Sequence, residues 1–299
     1  MNTKIKKKRE QRTKLNNRIF ILNLLSLSEN STFVLNPKLY SLDLQDELEA
    51  LTDKLLEVSM KLKAAESELK ALRSEQVKEL SKFSHNLKNP VGVISSFTEM
   101  LQGSPSIDEE KRAKYLEIIQ SSSKFSLTLV NSFQEYNKLK NDQIPFEYES
   151  VNYAEFIKEI IADFNSIKMK RNQTIEFSLK CSPARIVNID KRQMRNAITN
   201  VLDNASRFSG ENSVISVEID ESETTMNTTI SDTGIGVSAA DIPNLTNPFF
   251  TVNTYDEYKV KCIGLGLTKT KIILDQFNGE LSFSSLPEKG SKVEIKIKM

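Results

Sequence analysis

One histidine, His85, occurs in the 299 residues, within the stretch FSHNLKNPVGVI. Neutral imidazole is abundant near neutral pH and is a competent nucleophile. A lone histidine is by default a surface residue, so its meaning depends on what else the chain carries. Further along, Asn200 and Asn204 stand four residues apart in NAITNVLDNASRFS and share one helix face, with Arg207 a turn beyond. Amide oxygens suit a hard cation such as Mg²⁺, and a guanidinium suits a phosphate. ISDTGIGV then ends a strand pattern in Asp232, followed by Gly234 and Gly236. An Asp there can accept a hydrogen bond from an exocyclic amine. Finally, Gly264-Leu265-Gly266 leads into an apolar helical run. A glycine turn at a helix N-terminus favours anions, because free N–H groups and the helix dipole meet there. Each glycine pair alone reads as a turn. Four of the nine glycines in two short motifs, in this order after the asparagines, shift the reading from turns toward a ligand site.

The totals narrow the classes. A net charge of +1 with 27% charged residues gives no field that favours nucleic acid. Two distant cysteines, Cys181 and Cys262, form neither a metal-ligand spacing nor a disulfide framework, which suits a reducing, cytoplasmic setting. No segment has the roughly 18–20 apolar residues needed to span a bilayer. The nearest, IFILNLLSL, follows the basic run KIKKKREQRTK. That pairing imitates a signal peptide but lacks a small-residue cleavage site. Residues 1–41 are either a solvated tail or a weak contact for a membrane surface or partner.

These residues need elements to hold them. Leu48, Leu51, Leu55, Val58, Leu62, Ala65, Leu69 and Leu72 keep a 3–4 spacing without Gly or Pro. That predicts a coiled coil over 42–77 and hence a parallel homodimer; the alternative is one amphipathic helix packed within a monomer. The register slips after Leu72, since Leu69 to Leu80 is an eleven-residue step, and Pro90 predicts a kink one turn past His85. Ser104-Pro105 is the expected turn, and Ser106-Ile-Asp-Glu109 fits a capping box opening a second helix over 106–140. Two such hairpins make an antiparallel four-helix bundle. Residues 142–150 read as a hinge. Helical patterns at 153–170 and 190–207, then alternating runs at 214–220, 226–232, 280–285 and 292–299, predict an α+β sandwich with helices on one face of a sheet.

With Asn247-Pro-Phe-Phe250 added, these motifs resemble, in order, the nucleotide-binding boxes of sensor histidine kinases, and FSHNLKNP resembles their phosphoacceptor box. The resemblance covers about 78–299. It implies a multidomain α+β chain: a dimeric phosphotransfer hairpin at 78–141 and a GHKL-type ATP-binding domain at 151–299. It also implies His85 as phosphoacceptor and Asn89 as the residue aligning it. ATP and Mg²⁺ are the implied cofactors, with Asn204 holding the metal beside Asn200 and Arg207 near phosphate. Asp232 would read the adenine amine, and Gly234, Gly236, Gly264, Leu265 and Gly266 would shape the pocket. Phe249 and Phe250 would anchor a mobile lid that runs to about Ile263. The implied partner is the receiver domain of a response regulator, whose aspartate takes the phosphoryl group. Two positions depart from the family. Asn86 stands where an acidic residue usually follows the histidine, and Cys262 stands where a first glycine usually opens the last box. The alternative they motivate is a degenerate kinase serving as a dimeric, nucleotide-gated scaffold.

Overall fold

The computed structural model describes residues 42–103, 107–168, 172–256 and 260–298. The tail, the Ser104-Pro105 turn and the first residue of the expected capping box lie outside them. The chain divides into two compact units, to Leu72 and from Arg73 onward.

Helix α1 is Leu42–Gly103. In the first unit its stripe is bare: Leu51, Leu55, Val58, Leu62 and Leu69 are each more than half exposed. Among the described residues, the heptad seam has no packing partner. In the second unit, the helix continues through Pro90, which is buried. Helix α2, Glu109–Lys140, begins after Asp108, which makes no side-chain cap hydrogen bond. Leu129, Phe133, Tyr136 and Leu139 are the buried residues of α2, all in its C-terminal half. There Tyr136 Oη donates to Glu79 Oε1 at 2.9 Å and Lys140 Nζ donates to the same oxygen at 2.7 Å. Glu79 is 7% exposed, so these bonds compensate a buried carboxylate.

The rest of the second unit is a layered sandwich. A five-stranded mixed sheet has the order β2-β4-β5-β7-β6, with β2 Thr174–Lys180, β4 Val214–Glu221, β5 Thr225–Ser231, β6 Glu280–Ser285 and β7 Ser291–Lys298. Only β2 and β4 pair in parallel; the other pairs are antiparallel. A two-stranded ribbon pairs β1, Glu149–Asn152, with β3, Ile186–Ile189. The sequence patterns had not singled out β1, β2 or β3.

Helices α3, Tyr153–Lys168, α4, Lys191–Arg207, and α5, Gly266–Gln276, share one core with the inward residues of β4, β5 and β7. The register of α4 explains its placement. Met194, Ala197, Ile198, Val201, Leu202 and Ala205 follow the helical period and are all at most 4% exposed. Burying each of the larger side chains contributes about 1.5–3 kcal/mol. Asp190 caps the helix, accepting from Gln193 N at 2.8 Å, while its second oxygen accepts from Glu147 N at 2.9 Å. The segment read as a hinge is thereby tied down. Phe146 and Tyr148 also meet Phe277 edge-on, and Tyr148 Oη donates to Gln276 O at 3.0 Å.

Candidate functional site

Because the apolar face of α4 is pinned to the sheet, its polar flank must look sideways. Asn200, Asn204 and Arg207 lie along one wall of a cleft of about 280 Å³. The opposite walls come from the ends of β5 and β7 and from the start of α5. Asn200 and Asn204 are half-buried, and among the described residues their side chains make no hydrogen bond. Asp232 sits just past β5. Its Oδ1 accepts from Gly234 N at 2.9 Å and Ser291 N at 3.1 Å. No hydrogen bond from the described residues reaches its Oδ2. Burial pushes the Asp232 carboxyl above the usual carboxylate range, against the pull of the two amides. Ile230, Ile235, Phe283 and Val293 line the cleft together with Asp232. An acceptor oxygen beside apolar walls suits a flat heterocycle that offers an amine.

Two of the four motif glycines take the positive φ that the sequence predicts. At Gly236, φ is +66°, and a Cβ would lie 2.0 Å from Leu286 O. At Gly264, φ is +74°, and a Cβ would lie 2.5 Å from Phe250 O. Both are needed because protein backbone passes against them. Gly266 is open: the nearest atom to a Cβ there would be Asn200 Cβ at 3.8 Å. Gly236, Gly264, Leu265 and Gly266 line the cleft, whereas Gly234 does not. Gly234 is pressed instead against Phe208 O, 2.2 Å from where its Cβ would be.

Arg207 lines the cleft but is already engaged. Its Nε lies 2.8 Å from Asp256 Oδ2, whose side chain is fully buried, and Nη2 donates to Lys261 O at 3.3 Å. Asp256 N donates to Val260 O at 2.9 Å, and Tyr255 bridges Lys261 in antiparallel fashion. The described part of the expected lid is thus folded over Arg207. Cys262 lines the cleft too; burial raises its thiol pKa, with Arg207 opposing, so it stays a thiol near neutral pH.

Phe250 lines the cleft, but Phe249 does not. The Phe249 residue has φ +62°, its N donates to Gly264 O at 2.8 Å, and its ring lies 5.7 Å from that of Phe133 in α2. Phe133 in turn stacks on Phe83 at 4.2 Å. Nearby, Lys82 Nζ donates to Pro248 O at 3.3 Å, and Lys269 Nζ lies 2.6 Å from Glu135 Oε2. Among the described residues, hairpin and sandwich meet through a cluster that includes Phe83, Phe133, Phe249 and Leu265, with these polar links beside it. His85 and Asn89 are exposed and outside the cleft lining. Two residues along a helix turn a side chain by about 200°, so His85 and Phe83 point roughly 160° apart. Sequence patterns also missed Lys269 in the cleft wall and Gly290, whose φ of +82° lets Asp232 O pass where a Cβ would be. The lysine carries no motif, and the second glycine looks like an ordinary turn before the last strand.

A helical hairpin bearing the one histidine is thus joined to a mixed α/β sandwich with an amide- and glycine-lined cleft. Residues 75–142 match the family described as His Kinase A (phospho-acceptor) domain. Residues 189–299 match that described as Histidine kinase-, DNA gyrase B-, and HSP90-like ATPase. Similar proteins include Hybrid signal transduction histidine kinase A of Dictyostelium discoideum, 28% identical over 70% of this chain and 10% of that protein. Sensor protein GacS of Pseudomonas syringae is 24% identical over 86% of this chain and 30% of that protein. The chain thus spans less than a third of the length of either relative. Among solved structures, the Acinetobacter baumannii histidine kinase AdeS shares the fold, with a TM-score of 0.55 and 21% identity over 72% of this chain and 98% of that one. Histidine kinase ThkA, in complex with response regulator protein TrrA, gives a TM-score of 0.58 and 23% identity over 73% of this chain and 60% of that one. The chain belongs to the sensor histidine kinase family, with a phosphoacceptor domain and an ATP-binding domain. Among the described residues, no helix is long and apolar enough to cross a membrane.

Proposed function

We propose that this chain is an ATP-dependent protein histidine kinase that autophosphorylates His85 and passes the phosphoryl group to an aspartate on the receiver domain of a response regulator. One observation carries the reading: an open amide-lined cleft and an exposed lone imidazole belong to the same compact unit. Asp232 fits an adenine amine through its Oδ2. Asn204, with Asn200 beside it, fits Mg²⁺, which a single amide and phosphate oxygens can hold without a carboxylate cluster. Bound ATP and Mg²⁺ would supply the transferable group and neutralise its charge.

The chain's own residues orient and position. His85 presents an imidazole nitrogen to solvent, and Asn89, one turn on, shares its face. Asn86 can hold a proton by hydrogen bonding but cannot remove one. Since His85 is outside the cleft wall, transfer requires the hairpin to move or a second chain to offer its histidine. A homodimer supports the second route. Leu51 to Leu72 expose an apolar seam, and on the hairpin Leu80, Val91, Leu116 and Leu127 are about half exposed or more. We divide the chain accordingly: a coiled-coil helix at 42–77, a phosphotransfer hairpin at 78–141, a connection at 142–150 and an ATP-binding domain at 151–299. A cytoplasmic setting supplies ATP and keeps Cys181 and Cys262 as free thiols. The response-regulator partner is supported by the family and by the complex that the ThkA structure contains.

The test is incubation with γ-labelled ATP and Mg²⁺. Acid-labile label should appear on the protein and vanish in His85→Gln; label persisting in that variant excludes His85 as acceptor. A second reading is a nucleotide-gated scaffold without kinase activity, favoured by Asn86 and Cys262. It predicts ATP binding with no label at all.

A further inference from the structure

Among the described residues, the cleft wall contains two cationic side chains, Arg207 and Lys269, and each already faces a carboxylate. Neither carboxylate belongs to the helix–sheet core. Asp256 comes from the connection between Phe250 and Ile263, and Glu135 comes from α2 of the hairpin. Lys269 lies in the first turn of α5, where the helix dipole already favours an anion. Its side chain is 12% exposed, so the ammonium is held close to the wall rather than in bulk water. The Glu135 carboxylate, 38% exposed, is the partner that can leave at least cost, since water can reclaim it.

We propose that Lys269 is a phosphate-recognising residue of this cleft and that Glu135, with Asp256 on Arg207, acts as an internal anion that a triphosphate displaces. The proposal rests on the nucleotide reading above and deepens it. Filling the cleft with polyphosphate then competes with hairpin docking for Lys269 and with the Asp256 connection for Arg207. Linkage makes the effect reciprocal: whatever loosens the hairpin tightens the nucleotide, and the nucleotide loosens the hairpin by the same factor. The aromatic contact of Phe133 with Phe249 has no such competitor, so it sets the strength of docking while the ion pairs make docking sensitive to phosphate.

The experiment measures equilibrium binding of ATP and of adenosine, each with Mg²⁺, to the whole chain and to Glu135→Gln, Asp256→Asn and Lys269→Met. Removing Glu135's charge should tighten ATP by about two- to fivefold, the range for a pair of this exposure, and leave adenosine unchanged. Lys269→Met should weaken ATP by about tenfold or more, again without effect on adenosine. Hydrogen exchange gives a second readout: ATP, but not adenosine, should raise exchange in residues 128–139 of the wild-type chain. ATP affinity unaltered by Glu135→Gln, or shifts equal for ATP and adenosine, overturns the proposal while the nucleotide site stands. No ATP binding by any of the proteins overturns the nucleotide reading and this proposal with it. Asp256 is buried and its variant can disturb the fold, but Glu135 is a partly exposed helix position and decides the matter alone.

Discussion

The ring of Phe249 lies 5.7 Å from that of Phe133, more than a hundred residues earlier, at a tilt of 40°. The expected lid anchor is therefore spent on the hairpin, while Phe250 takes the cleft wall. Phe133 also stacks on Phe83, two residues before His85. Phe133→Ala removes the centre of this cluster, and truncating a buried Phe costs about 3–5 kcal/mol. Hydrogen exchange should rise in residues 80–87 and at 247–250, with the sheet unchanged. Protection retained in those segments would mean that the contact is not held in solution.

Asp232→Asn isolates the proposed adenine contact. Two amides claim Oδ1, so the variant must place its oxygen there and its NH₂ where Oδ2 was. Two donors, the Asn NH₂ and the adenine amine, would then face each other. ATP affinity should drop by roughly 1–3 kcal/mol, measured by titration calorimetry. Stability should move the other way. The carboxyl's folded-state pKa is raised, so the fold binds its proton more tightly than the unfolded chain does. Wild-type stability therefore falls as pH climbs from the ordinary carboxylate range through the raised value. The variant should lack that fall and melt no lower than wild type at neutral pH.

Gly264→Ala and Gly266→Ala, two residues apart, should behave differently. The first puts a Cβ 2.5 Å from Phe250 O at φ +74°, whereas the second meets nothing closer than 3.8 Å. Strain at one such backbone position costs of order 1–3 kcal/mol, and the clash adds to it. Thermal melts should show a clear loss for Gly264→Ala and little change for Gly266→Ala. Equal losses would contradict the backbone approach seen here.

Tyr136→Phe tests the polar clamp at the base of the hairpin. Burial, reinforced by the Glu79 carboxylate, pushes the Tyr136 hydroxyl up to about 12. Deleting the hydroxyl leaves Glu79 with Lys140 alone and should cost about 1–2 kcal/mol in urea unfolding at neutral pH. Because the folded-state value is raised, this contribution is complete below pH 10 and lost as pH rises toward about 12. The gap between variant and wild type should narrow over that interval; a constant gap would remove Tyr136 ionisation from the account.

Asn86→Glu probes the departure beside the histidine. Supplying a carboxylate where a proton must leave should speed autophosphorylation, since a positioned base contributes about 10²–10⁴-fold where proton removal limits the rate. Single-turnover labelling measures it, and an unchanged rate would show that Asn86 is not limiting.

Local patterns carried much of this protein. The period of α4, from Met194 to Ala205, announced a helix seated on a core, and alternation at 214–220 announced a strand. Spacing placed Asn200 and Asn204 on one flank, and glycines marked the turns at Gly236 and Gly264. Such features are legible because backbone periodicity translates neighbours in sequence into neighbours in space. The short ribbon of β1 and β3 was not legible, since four-residue strands carry too little alternation. Nor was the tied-down segment at 142–150, whose hold comes from Asp190 and Phe277, far along the chain.

What the sequence by itself determined is the inventory and its order: one histidine, two aligned amides, an acidic strand end, two glycine turns and a heptad seam. What only the tertiary structure decided is which charges and rings face one another. Lys269 meets Glu135, Arg207 meets Asp256 and Phe249 meets Phe133 across separations that no local period encodes. Those pairings depend on where the hairpin and the connection from Phe250 to Ile263 settle against the sandwich, and packing and electrostatics fix that together.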